Sequence, residues 1–115
     1  MRRFIPGLCL ALMTSPAFAE GLAGGDQISA AISGNTVQGS MVDAGAYTEF
    51  YDKDGTIRGE GYTGAWSVAN DQMCFDYGEG ADCWSVRIDG ETVTWVKDGK
   101  DDGTGTIVVG NPNGF

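Results

Sequence analysis

The chain contains no histidine. Imidazole is the commonest general base and the commonest side-chain metal ligand, so its absence excludes Ser-His-Asp and Cys-His nucleophilic systems as ordinarily built. Cysteine is nearly as scarce, with three residues. Cys9 falls in the N-terminal segment, which leaves Cys74 and Cys83 as an even pair. A bonded pair offers neither a thiolate nucleophile nor a structural zinc set, so no metal and no cofactor is expected. Basic residues are few, with 7 Lys+Arg against 16 Asp+Glu and a net charge of −9. A polyanion of this size repels phosphate backbones and anionic lipid, which argues against nucleic-acid and membrane-surface partners. The same charge keeps a small protein soluble and suits cations or basic partners. Long apolar runs are also missing. The longest, at residues 4–13, falls well short of the roughly 20 residues that span a bilayer.

That short run has a meaning of its own. Arg2 and Arg3 precede it, and Pro16-Ala17-Phe18-Ala19 follows with the small-x-small pattern that signal peptidase cuts. Residues 1–19 therefore read as a secretory signal peptide and residues 20–115 as a single β domain, periplasmic or secreted and with no membrane anchor after cleavage. Cleavage removes two of the seven basic residues and none of the sixteen acidic ones, so the net charge falls from −9 to −11. Gly7-Leu8-Cys9 does not form a lipobox, and Arg2-Arg3 lacks the rest of a twin-arginine motif. In an oxidising compartment Cys74 and Cys83 are expected to form a disulfide, the staple that a domain with a modest core often needs.

What the chain has in abundance is glycine, 19 residues, spaced between short stretches rich in Val, Ile, Thr, Trp, Tyr and Phe. This pattern predicts a mainly β fold, an antiparallel up-and-down meander of about eight strands forming a curled sheet or small barrel. The expected strands are 36–41, 46–51, 56–62, 64–69, 72–77, 83–89, 92–97 and 105–109. One short N-terminal helix precedes them, capped by Asp26, with Ile28, Ala31 and Ile32 on one face and Gly34 at its end. Asp52-Lys53-Asp54-Gly55, Asn70-Asp71 and Asp89-Gly90-Glu91 read as turns, and 97–103 as a longer polar loop.

The cysteine spacing yields a register. A two-residue turn at Gly78-Glu79 would pair Tyr77 with Gly80 and place Cys74 directly opposite Cys83, in the closely spaced, non-hydrogen-bonded type of antiparallel pair. Met73, Phe75, Trp84, Val86 and Ile88 then face inward with the disulfide on the other face. Val93 and Trp95 continue the core in the seventh strand, and Trp66 and Val68 in the fourth.

Few motifs carry chemistry. Asp52-Lys53-Asp54-Gly55-Thr56-Ile57 has the look of the middle of an EF-hand loop, but the register puts Phe50 and Gly61 at positions that need oxygen donors, so a hairpin turn is the better reading. The carboxylates Glu49 and Glu60 can face each other across the second hairpin, as a glycoside-cleaving pair would, although sixteen acids make some such pair inevitable. Tyr47, Tyr51, Tyr62 and Tyr77 are candidates for a sugar-stacking platform. Gly64-Ala65-Trp66 has the form of the Gly-x-Trp element of lipocalin-type barrels, displaced from the first strand to mid-chain, and a core Trp beside a turn glycine accounts for it. The candidate binding residues lie in two acidic loops, 78–82 with Gly78, Glu79 and Asp82, and 97–103 with Asp98, Asp101 and Asp102.

Gly34-Asn35-Thr36-Val37, Gly64-x-Trp66-Ser67-Val68, Asp71-x-x-Cys74-Phe75, Cys83-Trp84 and Gly110-Asn111-Pro112 together resemble small exported proteobacterial proteins of unknown function. The resemblance spans roughly residues 22–112 and implies a small β domain of the bacterial envelope, without an activity or site to carry over. The leading expectation is a non-enzymatic envelope module that binds a small molecule, glycan or basic protein. One alternative is an inhibitor-like protein that inserts a loop into a basic hydrolase such as lysozyme, and a second is a carboxylate-dependent hydrolase.

Overall fold

A computed structural model describes residues 21–115 of the chain. The signal-peptide and Cys9 assignments lie outside the described residues. Helix α1 (Gly25–Ile32) comes first. Ile28 and Ile32, four apart and hence on one face, are fully buried, and Ala31 packs beside them. The helix is not capped by Asp26. Gly24 occupies the cap position and has no side chain to offer, so the Gly25 N–H donates instead to Asp71 Oδ1 at 2.8 Å, from a hairpin turn far along the chain. Asp26 sits one position too far in to cap, and its carboxylate lies in the first turn, where the helix dipole favours it.

Eight strands follow: β1 (Asn35–Met41), β2 (Gly45–Tyr51), β3 (Thr56–Gly59), β4 (Tyr62–Ala69), β5 (Gln72–Asp76), β6 (Asp82–Asp89), β7 (Thr92–Lys97) and β8 (Lys100–Val109). Each pairs antiparallel with the next, and β8 returns to β1 along seven residue pairs, from Asn35↔Val109 to Met41↔Gly103. The meander is thus a closed barrel, in which each strand has a neighbour on both sides. Residues 22 and 23 patch the wall where β5 has left β6: Leu22 bridges Arg87, and the Ala23 N–H donates to the Val86 carbonyl at 2.7 Å. No helix among the described residues is long and apolar enough to cross a membrane.

Three boundaries differ from the sequence reading. β3 stops at Gly59, and Tyr62 opens β4, so the turn falls at Glu60-Gly61. The polar stretch 97–103 is no long loop. Asp98 (φ 52°) and Gly99 (φ 79°) make a tight left-handed turn, and β8 starts at Lys100. Asp101, Asp102 and Gly103 are poor strand formers alone, but Gly103 pairs with Met41 of β1 and Trp95 of β7, Asp101 pairs with Val96 of β7, and the carbonyl of Asp102, at the bulge between them, accepts from the Val42 N–H at 2.8 Å. Finally, β5 and β6 are joined by residues 77–81 instead of a two-residue turn. Asp76 Oδ1 accepts from the Gly78 and Gly80 N–H groups at 2.8 and 3.2 Å.

The register itself is as the cysteine spacing predicts. Met73 pairs with Trp84 and Cys74 with Cys83, and the disulfide closes with Cα atoms 4.0 Å apart. Asp52-Lys53-Asp54-Gly55 is a hairpin turn, with the Gly55 N–H donating to the Asp52 carbonyl at 2.9 Å. The expected inward residues of β4 to β7 all belong to the interior cluster or pack against it. Around Ile28 and Ile32, the residues Val37, Ile57, Met73, Val86 and Val93 are fully buried and fill the helix-side end of the barrel. Asn35 ties this end together: its side chain donates to Ala31 O and accepts from the Gly110 N–H.

Candidate functional site

The opposite half of the barrel is hollow. A cup of about 510 Å³ opens away from α1 between the β1–β2 turn, the start of β4 and the segment after β5. Its walls are aromatic: Tyr47 and Tyr51 from β2, Tyr62 from β4, Phe75 and Tyr77 from β5 and its exit, Trp84 from β6 and Trp95 from β7. These are consecutive inward positions of the pleat, which is why period-two alternation brings so many rings to one space. Phe75 stands at the centre, edge-to-face with Trp84 and Trp95 at centroid distances of 5.5 and 5.3 Å and with Tyr51 at 6.1 Å.

Glycine makes the room. An added Cβ at Gly105 would sit 2.5 Å from both Tyr47 Oη and Val37 Cγ1, and one at Gly64 would sit 2.9 Å from a Tyr77 ring carbon and from the Asp76 carbonyl oxygen. The glycine of Gly64-Ala65-Trp66 therefore clears space for a tyrosine ring. Trp66 lies outside the cup lining and donates from its indole N–H to the Asp52 carbonyl at 2.9 Å.

Glu49 is the chemical centre of the cup. It points inward from the middle of β2 and is only 6% exposed. Three phenols converge on it. Tyr51 donates to Oε1 at 2.7 Å, Tyr62 to Oε2 at 2.6 Å, and Tyr77 lies within 3.0 Å of Oε1 and 2.9 Å of Oε2. A carboxylate accepts up to about four hydrogen bonds, so these phenols satisfy it, with no ion pair to it among the described residues. Burial pushes all three phenols above their ordinary value of 10, and the adjacent Glu49 charge and hydrogen bonds push the same way. They remain protonated donors across the physiological range. Tyr47 is also raised by burial; it accepts from the Trp95 indole N–H at 2.8 Å and donates to the Thr104 carbonyl at 3.0 Å.

Asp43 and Asp102 join Glu49 in the lining, which contains no Lys or Arg. Asp102 Oδ2 accepts from the Trp84 indole N–H at 2.9 Å. The cation beside this wall is Lys97, whose Nζ lies 4.3 Å from the centroid of the Trp84 ring. It is tied to Asp82 Oδ1 and the Cys83 carbonyl, each at 2.8 Å.

Of the loop residues singled out in the sequence, only Asp102 reaches the cup. Gly78 and Glu79 are exposed in the β5–β6 connection and Asp98 in the β7–β8 turn. Asp82 pairs with Lys97, and Asp101 with Arg87 at 3.2 Å. Glu60 lies in the exposed turn between β3 and β4, so it and Glu49 do not form a facing pair. The four tyrosines of the proposed platform do converge, all in the cup. Glu49 as an acceptor for three phenols was not foreseen. Its position on the Tyr47-Glu49-Tyr51 face of one strand was the available signal, since a carboxylate between two inward aromatics must itself point inward.

No protein-family model matches the chain, and neither a curated protein nor a solved structure matches it.

Proposed function

We propose that the protein is a non-enzymatic binding module of the cell envelope or its exterior, which holds a small molecule with an apolar body in the open half of its barrel. The observation that carries this reading is the 510 Å³ cup walled by seven aromatic side chains. Small-ligand sites are concave, largely apolar and about 300–1,000 Å³, with a few placed polar groups, and the cup has each of these properties. Fully buried side chains fill the helix-side end and floor the cup. Val42, Tyr62 and Tyr77 are exposed near the open end, an apolar approach for such a ligand. Export is supported by the N-terminal sequence and by the Cys74–Cys83 disulfide, which suits an oxidising compartment.

The three tryptophans supply a built-in test. Trp84 and Trp95 line the cup and Trp66 does not, so their indole N–H resonances report separately once Trp84→Phe and Trp95→Phe have assigned them. Titration of the oxidised domain with the neutral dye N-phenylnaphthylamine is expected to move the Trp84 and Trp95 signals, leave Trp66 in place and raise dye fluorescence with one-to-one stoichiometry. Absence of binding, or equal movement of all three signals, would refute the reading.

A further inference from the structure

We propose that the molecule held in the cup is an organic cation, an amine or quaternary ammonium on an apolar body, seated against the ring faces with Glu49 as its counter-charge. The inference rests on the binding role proposed above and adds the charge of the ligand. Three features of the cup point the same way.

The first is a carboxylate without a counter-ion among the described residues. Glu49 is nine-tenths buried, and the groups bonded to it are neutral phenols. Phenols satisfy its lone pairs, but they leave its charge uncompensated in a space of reduced dielectric, where Coulombic attraction is strengthened. With Asp43 and Asp102 in the lining and no Lys or Arg there, the interior favours a positive guest and disfavours an anionic one.

The second is the orientation of the polar atoms. A sugar would need free donors and acceptors in the plane of its hydroxyls. Here the hydroxyls of Tyr51, Tyr62 and Tyr77 are turned onto Glu49, the Tyr47 hydroxyl is held by Trp95 and Thr104, and the Trp84 indole N–H is held by Asp102. With these polar ends engaged within the protein, what the rings have left to present is π surface. Aromatic faces attract cations, most strongly when the site is desolvated.

The third is a cation already seated on the same wall, the Lys97 ammonium over the Trp84 ring. Its partners Asp82 and Cys83 hold it at the rim, outside the cup lining.

The test compares two probes of matched shape, phenyltrimethylammonium and its uncharged carbon analogue tert-butylbenzene, each read by the Trp84 and Trp95 indole resonances of the oxidised domain. The cation is expected to bind about 10–100-fold more tightly than the neutral probe. Glu49→Gln, which keeps the shape and removes the charge, is expected to lower that ratio severalfold while the Trp66 resonance stays at its native position. Should Glu49→Gln fail to fold, the rim double variant Asp43→Asn with Asp102→Asn takes its place and is expected to lower the ratio severalfold. Equal binding of the two probes by the unaltered protein, or an unchanged ratio in the folded Glu49→Gln protein, overturns the proposal and leaves the cup as a neutral-ligand site. If neither probe nor the neutral dye binds, the binding role itself fails, which is a separable result.

Discussion

All four tyrosines of the chain line the cup, so an alkaline titration of tyrosinate absorbance reads this site with no background from elsewhere. Burial raises all four phenols, Tyr51 furthest into the interior, and the Glu49 charge opposes their ionisation. The sign follows from proton linkage. In the unfolded chain the phenols lose their protons near pH 10, whereas the folded protein keeps them, so above that pH the native state binds more protons and stability falls as pH rises. The contribution is fully present below about pH 10 and is lost through the window up to the folded values. Tyr51 and Tyr47 together give a slope of about 2.7 kcal/mol per pH unit. Tyr62 and Tyr77 add less, because these residues are 42% and 51% exposed and solvent screens them. A domain with about 5–8 kcal/mol of stability is therefore expected to lose stability progressively above pH 10 for as long as these phenols stay protonated in the native state. The assay is near-ultraviolet absorbance against pH, with near-ultraviolet circular dichroism followed on the same samples and a urea-unfolded control. In the native protein tyrosinate is expected to appear late and together with loss of the circular dichroism signal. Four phenols titrating near pH 10 in a protein that keeps its native spectrum would refute the arrangement around Glu49.

Two further outcomes follow from the frame. Replacing both cysteines, Cys74→Ser with Cys83→Ser, opens a loop with a sequence separation of 9 and is expected to cost about 2.5–3 kcal/mol by loop-closure entropy, lowering Tm by roughly 10–20 °C in a thermal melt. Asp71→Ala removes the acceptor for the Gly25 N–H and is expected to cost about 1 kcal/mol in urea unfolding, whereas Asp26→Ala, which removes no cap, is expected to change the midpoint little.

How much of this was legible in the sequence depended on whether the signal was local. Inward and outward faces followed from alternation, and one pair of cysteines nine residues apart was enough to set the β5–β6 register, because a single shift would have put the sulfurs on opposite faces. Turn chemistry at Asp52-Lys53-Asp54-Gly55 was equally local. Partnership across the barrel was not. The acceptor that caps α1 comes from Asp71 in the turn after β4. The extended state of 101–103 rests on the pairing of Asp101 with Val96 and of Gly103 with Met41 and Trp95, against the preference of those residues. The cup needed Glu49 from β2 to meet Tyr62 and Tyr77 from beyond β3, a convergence that exists only once the sheet has closed. Reading the acidic loops as the binding surface therefore followed the exposed charge, and Glu49 was weighed only as a partner for Glu60 and not for the tyrosines beside it.

The closed sheet also shows how a domain this small can keep half of its interior empty. Eight-stranded barrels usually have just enough interior for side chains to fill, and an unfilled cavity costs stability roughly in proportion to its volume. Here the two halves are built differently. At the helix end Ile28 and Ile32 enter as a plug among Val37, Ile57, Met73, Val86 and Val93, all fully buried, and the disulfide joins β5 to β6 where the two strands pair over only three residues. At the open end glycines at inward positions of β4 and β8 leave room for large rings, which stand edge to face around Phe75. Side chains at Gly64 and Gly105 would strike Tyr77 and Tyr47, so the two glycines leave the room that these rings occupy. The rings are thus held where they are by the absence of side chains opposite them. A space kept open in this way, and floored by a buried charge, is a feature of the sequence itself rather than a packing defect.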